Sequence, residues 1–254
     1  MKTYAMTGGA TGIGAALKTL LRGRGERVIV VDIRDADIIA DLSTPEGRAR
    51  AAAGIAELAS EGLDGFVACA GLGPHALPPS LIDRVNYFGA IASIEAARPL
   101  VARKRGAIVA VSSNSAPLPG LDQPHIAALL AGDEQQACAL VDALDGNNAY
   151  MGSKNALTRW VRRNAPAYMK DGVRLNAVAP GMTKTPLTDR MFEDARFVEA
   201  MEAYRQSIPY GAMATPEMIA EAMAFLLDDA ARFVSGVVLF VDGGQDALFR
   251  PDQF

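Results

Sequence analysis

An α/β fold is predicted, a single domain built on a doubly wound parallel sheet with helices on both faces. Three observations predict it. Short, nearly continuous apolar runs alternate with longer amphipathic stretches along the whole chain, the rhythm of strand–helix–strand units. The apolar runs lack the in–out alternation of a half-solvated strand, so each suits a strand covered on both faces. The first run opens into a glycine-rich turn followed at once by a helical pattern. At 254 residues and 26.7 kDa, folding can bury roughly seven-tenths of the open chain's surface. That suffices for a core without disulfides or metal, and no linker or repeat divides residues 1–254.

The elements follow in order. Thr3–Met6 is the first strand and Gly12–Leu21 the first helix. Val28–Asp32 is the second strand, followed by a helix over Pro45–Ser60. Gly65–Cys69 is the third strand, followed by a helix over Leu81–Ala102. Ala107–Ser112 is the fourth strand. A helix over Ala149–Met169 leads to the fifth, Val173–Val178, and a helix over Pro216–Leu227 leads to the last, Val237–Val241. Pro166, inside the Ala149–Met169 helix, removes a backbone donor and should bend or end it early. Two segments break the alternation. Residues 114–148 carry Pro117, Pro119, Gly120 and Pro124, then two helix-like pieces split at Gly132-Asp133. Residues 187–210 hold a helical pattern with Met191, Phe192, Phe197, Met201 and Tyr204. Long excursions from a compact domain tend to be functional.

Composition removes several function classes. Half the residues are hydrophobic and 21% are charged, unlike a disordered or fibrous chain. With 25 basic against 29 acidic residues the net charge is -4, which disfavours nucleic acid. Arg103-Lys104-Arg105 reads as a solvated helix end. No apolar run approaches the roughly 20 residues of a membrane span. The first strand begins too near Met1 to leave room for a signal peptide. Cys69 and Cys138 make neither a disulfide framework nor a metal-ligand spacing. Free thiols in a reducing cytoplasm account for them, and no metal site is expected.

The chemistry concentrates at strand ends. Thr7-Gly8-Gly9-Ala10-Thr11-Gly12-Ile13-Gly14 has the form T-G-x-x-x-G-x-G. Gly8 permits the tight turn, Gly12 lets a pyrophosphate approach the backbone, and Gly14 lets the helix pack closely. The helix start then offers free N–H groups and partial positive charge to phosphates. Asp32 closes the second strand, where a carboxylate accepts from adenosine ribose hydroxyls and repels a 2′-phosphate. NAD(H) is therefore expected over NADP(H), with Arg34 nearby as the residue that could reverse the preference. Asp41-Leu42 is a polar–apolar pair suited to an adenine edge, and Gly71 follows the third strand where a cofactor could lie. Tyr150 and Lys154, at i and i+4, share a helix face. A cation beside a phenol favours the phenolate and brings an ordinary pKa of about 10 toward a useful range. Ser112-Ser113 ends a buried strand, Asn86 is an amide inside an apolar helix, and Pro180–Thr185 follows another strand at the same edge.

Taken together, T-G-x-x-x-G-x-G, the Asn86–Ser113–Tyr150–Lys154 set, Pro180-Gly181-Met182-Thr183-Lys184-Thr185 and Asp242-Gly243-Gly244 resemble the short-chain dehydrogenase/reductase family over nearly the whole chain. Within it, Asp32–Ala36, Ala40–Thr44, Cys69–Pro74, Val85–Gly89, Tyr150–Leu157 and Arg250–Phe254 resemble the bacterial hydroxysteroid dehydrogenase/carbonyl reductase subgroup. The resemblance implies a Rossmann-type fold and NAD-dependent exchange between a secondary alcohol and a ketone. Ser113 would polarise the substrate oxygen. Tyr150 would donate or take the proton, and Lys154 would hold the nicotinamide ribose and lower the tyrosine pKa. Asn86 would position a water between Lys154 and solvent. Thr183 and Thr185 would orient the carboxamide, and Ile13 would pack beside the nicotinamide.

The chain departs from the family pattern in three places. Ala68-Cys69-Ala70-Gly71 replaces the usual N-N-A-G. Ser113 and Tyr150 stand farther apart than usual, through the helical insertion at 114–148. That insertion would lie beside the helix pair many relatives use to dimerise and change the interface of an expected homo-oligomer, dimer or tetramer. Pro166 is the third departure, and it lies about three turns past Lys154, beyond the site.

The apolar stripe in 187–210 reads as a lid over an apolar substrate. Leu72, Pro74, Pro117, Met182 and Pro186 would line the rest of the cleft. No Arg or Lys stands ready for a substrate carboxylate, so the small-molecule partner is an apolar carbonyl or alcohol, and a neutral, bulky alicyclic ketone or alcohol fits best. The resemblance implies 3α-hydroxysteroids and 3-oxosteroids. The alternatives are a non-steroid cyclic alcohol or xenobiotic carbonyl and, in another class, a non-catalytic dinucleotide sensor. A sugar-nucleotide epimerase would need a longer C-terminal substrate domain.

Overall fold

The computed structural model describes residues 1–253. Seven strands form one sheet: β1 (Thr3–Thr7), β2 (Arg27–Asp32), β3 (Ile38–Ile39), β4 (Gly65–Ala68), β5 (Ala107–Val111), β6 (Arg174–Pro180) and β7 (Val238–Val241). Every pairing is parallel, in the order β3-β2-β1-β4-β5-β6-β7. The order reverses between β1 and β4, and open sheets of this kind bind ligands beyond the carboxyl ends of the strands at that point. Register brings those ends level: Thr7 lies opposite both Val31 of β2 and Ala68 of β4, and Ala110 opposite Ala68.

Successive side chains along a strand point to opposite faces, and the two cores divide accordingly. Met6, Val30, Val67 and Val109 face α1 (Gly12–Gly23) and α10 (Pro216–Leu227), packing with Leu17, Leu21, Ile219 and Met223. Their neighbours Ala5, Ile29, Phe66 and Ile108 face α2 (Pro45–Leu58), α4 (Ala90–Ala102) and α7 (Gly146–Lys170), packing with Ile55, Ile94, Ala97 and Val161. Burial on both sides is why these runs read as continuously apolar. Helix starts are built from local chemistry. The Thr44 hydroxyl accepts from Gly47 N at 3.0 Å ahead of Pro45, and Asp145 accepts from Asn148 N at 2.8 Å at the head of α7.

The doubly wound α/β arrangement agrees with the sequence expectation, and the differences are local. β3 has two residues, too few to show a period. The helix expected over Leu81–Ala102 is three pieces: α3 (Pro79–Asp83), a π-helical turn (Arg84–Gly89) and α4. The turn packs tightly, since a Cβ on Gly89 would lie 2.9 Å from Leu42 Cβ. Pro166 does not end α7, which continues to Lys170. Pro166 and Arg162 both lie on the exposed face, so the Arg162 carbonyl that loses its helical donor can meet water.

Residues 114–148 contain α5 (Gln123–Ala131) and α6 (Glu134–Val141), separated by Gly132 at φ 76°. Residues 187–210 fall in α8 (Pro186–Glu193) and α9 (Val198–Gln206). A short α11 (Gln245–Phe249) follows β7. Among the described residues no helix is long and apolar enough to cross a membrane.

Candidate active site

The glycine turn is shaped by sterics. Gly8 has φ 73°, its N–H donates to Val31 O at 2.9 Å, and a Cβ there would sit 2.5 Å from Ala70 N. Gly12 has φ 56°, and its missing side chain faces Thr185, whose Cγ2 would lie 3.3 Å from a Cβ. A Cβ on Gly14 would stand 2.0 Å from Gly8 O. That glycine therefore lets the helix approach the turn itself, closer than the sheet contact expected of it. No side chain caps α1 and its first turn carries no acid, which leaves the helix dipole and its N–H groups available to an anion. Ile13 is half-buried against the α1 side of the core.

Asp32 braces this turn from β2. Its carboxylate accepts from Ala10 N at 2.9 Å and from Ile33 N at 2.7 Å. Thr7, which the sequence reading left without a role, has a hydroxyl that accepts from Cys69 N and Ala70 N, each at 3.2 Å. It locks the ends of β1 and β4 together across the reversal point. Asp41 is exposed and caps the following turn, accepting from Ser43 N at 2.9 Å. The Leu42 side chain is buried in the core rather than at an adenine edge, so its backbone is the part left to face outward.

Four side chains meet at the ends of β4 and β5. Lys154 is buried, donates to Val111 O at 2.8 Å, and lies 5.9 Å from the centroid of the Tyr150 ring. Of the serine pair, Ser112 turns inward to Thr158 Oγ1 at 2.5 Å and the Lys154 carbonyl at 3.3 Å. Ser113 turns the other way, pairing with Ser115 Oγ at 2.9 Å and standing near the Tyr150 phenol. Asn86, fully buried in the π turn, accepts from Leu72 N at 2.7 Å and donates to Leu72 O at 3.0 Å. It thereby pins the loop that leaves Gly71. A Cβ on Gly71 would lie 3.3 Å from Asn86 Oδ1 and 3.5 Å from Lys154 Nζ.

Burial dominates the electrostatics. It lowers Lys154 to about 8 and pushes the Tyr150 phenol up, opposed by the Ser113 hydroxyl. The ammonium is spent on Val111 O and is itself desolvated, so the cost of a buried phenolate prevails. Cys69 beside them is raised to about 11 by burial, which keeps it a thiol.

Thr183 is buried and donates to Gly181 O at 2.9 Å, while Thr185 caps α8 and faces the bare side of Gly12. α8 and α9 are lightly packed: α9 buries none of its residues fully, and α8 buries Thr188 alone. Met191, Phe192, Phe197, Met201 and Tyr204 are all half-exposed. A polar latch holds α9 down. The Tyr204 hydroxyl donates to Asn114 Oδ1 at 2.9 Å, and Asn114 donates to Gln245 Oε1 at 2.9 Å. Gln245 in turn donates to Tyr204 O at 2.9 Å and Ser207 Oγ at 2.7 Å. The sequence signals, an amide directly after Ser113 and another directly after Asp242-Gly243-Gly244, are visible only once the fold joins them.

The chain is similar to known proteins over its whole length. Residues 136–246 match a family described as enoyl-(acyl carrier protein) reductase. The 3-alpha-hydroxysteroid dehydrogenase/carbonyl reductase of Comamonas testosteroni is 44% identical, with 100% of each chain covered. The cis-4-hydroxycyclohexanecarboxylate dehydrogenase of Sinomonas cyclohexanicum is 34% identical, with 96% of each covered. The crystal structure of the 3-alpha-hydroxysteroid dehydrogenase from Pseudomonas sp. B-0831 complexed with NADH superposes with a TM-score of 0.97 at 44% identity, covering 99% of this chain and 100% of that one.

Proposed function

Because the chain belongs to the short-chain dehydrogenase/reductase family, we propose that it interconverts a secondary alcohol and a ketone on a bulky apolar substrate, with NAD(H) as its cofactor. The carrying observation is the convergence of Ser113, Tyr150 and Lys154 at the carboxyl edge of the sheet, beside the reversal point between β1 and β4.

The residues present fit a dinucleotide. An uncapped, acid-free helix start and glycines whose Cβ atoms would obstruct the turn make a phosphate cradle. Gly8, Gly12, Ile13 and Gly14 would hold the pyrophosphate side, and Asp32 the adenosine ribose. Asp41 and the Leu42 backbone would meet the adenine, and Gly71, Tyr150, Lys154, Thr183 and Thr185 the nicotinamide half. Arg34 is exposed at the rim and does not offset a carboxylate placed by two backbone N–H groups, which favours NAD(H) over NADP(H). When bound, the nicotinamide gives or accepts the hydride; the protein supplies placement and proton transfer.

Ser113 would donate to the substrate oxygen and hold it beside Tyr150. Tyr150 would donate its proton as a ketone is reduced and take it back as an alcohol is oxidised. A phenol held protonated by burial suits the reductive direction, and Lys154, lowered to about 8, can exchange a proton near neutral pH. As the family resemblance implies, Asn86 would position a water linking Lys154 to solvent; Asn86 Oδ1 and Lys154 Nζ both face the bare side of Gly71. The half-exposed apolar side chains of α8 and α9 support a bulky alicyclic substrate. The class we favour is 3α-hydroxysteroids and 3-oxosteroids or related cyclic carbonyls, as the names of the relatives suggest. We place the enzyme in the cytoplasm as a homo-oligomer.

Replacing Tyr150 by Phe tests the assignment. With NADH absorbance followed against a panel of cyclic ketones, turnover should fall by at least about a hundredfold, in line with loss of a general acid. NADH binding should stay within about threefold, since the ring remains. Undiminished turnover would remove Tyr150 from the role, and cofactor binding without turnover in the wild type would favour the sensor reading.

A further inference from the structure

The helical insertion contains a polar pair that the proposed chemistry does not use. His125, in the first turn of α5, places Nε2 2.7 Å from Asp83 Oδ2, with side-chain exposures of 1% and 0%. The remaining polar atoms, His125 Nδ1 and Asp83 Oδ1, are buried without a partner. Such a pair is weak evidence for stability, because well-packed apolar residues often do as well or better. It does fix direction. Asp83 ends α3 three residues before Asn86, where the helix passes into the π turn.

The imidazole also lies on α7. A Cβ on Gly152 would stand 2.8 Å from both Cε1 and Nδ1 of His125, and Gly152 sits midway between Tyr150 and Lys154. One turn and a half earlier, a Cβ on Gly146 would stand 1.9 Å from Pro74 O. Two glycines thus let neighbouring elements press against α7 on either side of Tyr150.

We propose that His125 and Asp83 form a positioning pair, which registers the helix bearing Tyr150 and Lys154 against the turn bearing Asn86. The insertion is then part of the catalytic scaffold as well as a surface feature. This inference rests on the role proposed for Tyr150. A displacement of about 1 Å in a reacting group can cost a hundredfold in rate, so the pair acts on kcat while leaving the cofactor cradle alone.

The test compares Asp83→Asn with Asp83→Ala, and Gly152→Ala with Gly152→Ala/His125→Ala. Asn keeps an oxygen for the imidazole N–H, so Asp83→Asn should hold kcat within about threefold. Asp83→Ala should lose about tenfold or more in kcat, with ketone KM and the NADH Kd from fluorescence within about twofold. Gly152→Ala should lose kcat similarly by displacing the ring, and adding His125→Ala makes room for the methyl group but removes the pair, so kcat should stay at least about fivefold below wild type. Should Asp83→Ala fail to fold, the Gly152 pair decides. Equal kcat loss in the Asn and Ala variants, wild-type kcat in folded Asp83→Ala, or wild-type kcat in Gly152→Ala/His125→Ala would overturn the proposal. The two readings fail separately: turnover surviving Tyr150→Phe removes the acid, whereas turnover surviving Asp83→Ala removes only the positioning pair.

Discussion

Substituting Gly14 by Ala adds one methyl group where there is no room for it. The new Cβ would meet Gly8 O at 2.0 Å, Gly8 C at 2.9 Å and Gly9 Cα at 3.2 Å. Carbon and oxygen at ordinary contact need well over 3 Å, so one side must move by more than about 1 Å. The turn cannot be that side. Gly8 is tied to Val31 O and lies so close to Ala70 that it has no room to retreat. The start of α1 must lift instead, which takes its N–H groups off the line to a pyrophosphate. Losing one or two charge-assisted hydrogen bonds to the pyrophosphate costs about 3 kcal/mol, near a hundredfold in affinity, and outweighs the gain of about 1 kcal/mol for Ala over Gly in a helix. NADH fluorescence titration reads the affinity, and circular dichroism confirms the fold. Gly23→Ala, in the last turn of the same helix with nothing within 4 Å of its Cβ, should bind NADH as the wild type does. NADH affinity within threefold of wild type in Gly14→Ala would refute the close-approach argument.

Three further outcomes follow from the site. Asp32→Asn keeps the shape but lets the side chain accept from only one of the two backbone N–H groups; NADH should weaken about tenfold, while NADPH should gain at least tenfold as a repulsion of a few kcal/mol is relieved, both read by Kd. Tyr204→Phe removes the latch to Asn114, worth about 1 kcal/mol, so ketone KM should rise about fivefold with the NADH Kd unchanged. Lys154 is lowered to about 8 from 10.5; between those values the unfolded state holds the proton and the folded state does not, so this group adds stability as pH rises. The urea midpoint of wild type minus that of Lys154→Met should therefore climb from pH 8 toward pH 10, and a flat difference would contradict the burial argument.

The sheet was legible because its physics is local. Residues such as Val28–Val31 and Phe66-Val67 are apolar on both faces, and a glycine run after Met6-Thr7 can hardly be anything but a tight turn. Tyr150 and Lys154 were visible as one helix face. The π turn was not, because one extra residue in a helical circuit leaves the apolar period of Leu81–Ala102 nearly intact. Leu42 looked like a cleft residue until the fold buried it under Gly89. The Asn114–Tyr204–Gln245 latch joins residues far apart in sequence, and no periodicity links them. The burial of Tyr150 and Lys154 was hidden for a related reason: spacing reveals which charges are neighbours but not how much water each has lost.

The helix α9 hangs from the body by polar threads, the Tyr204–Asn114 and Gln245 bonds. Because Met191, Phe192, Phe197 and Met201 are only half-buried, exchanging them carries a smaller thermodynamic risk than exchanging core residues. If these helices close over the substrate as proposed, evolution or a designer can retailor which molecules fit while the proton-transfer residues stay untouched.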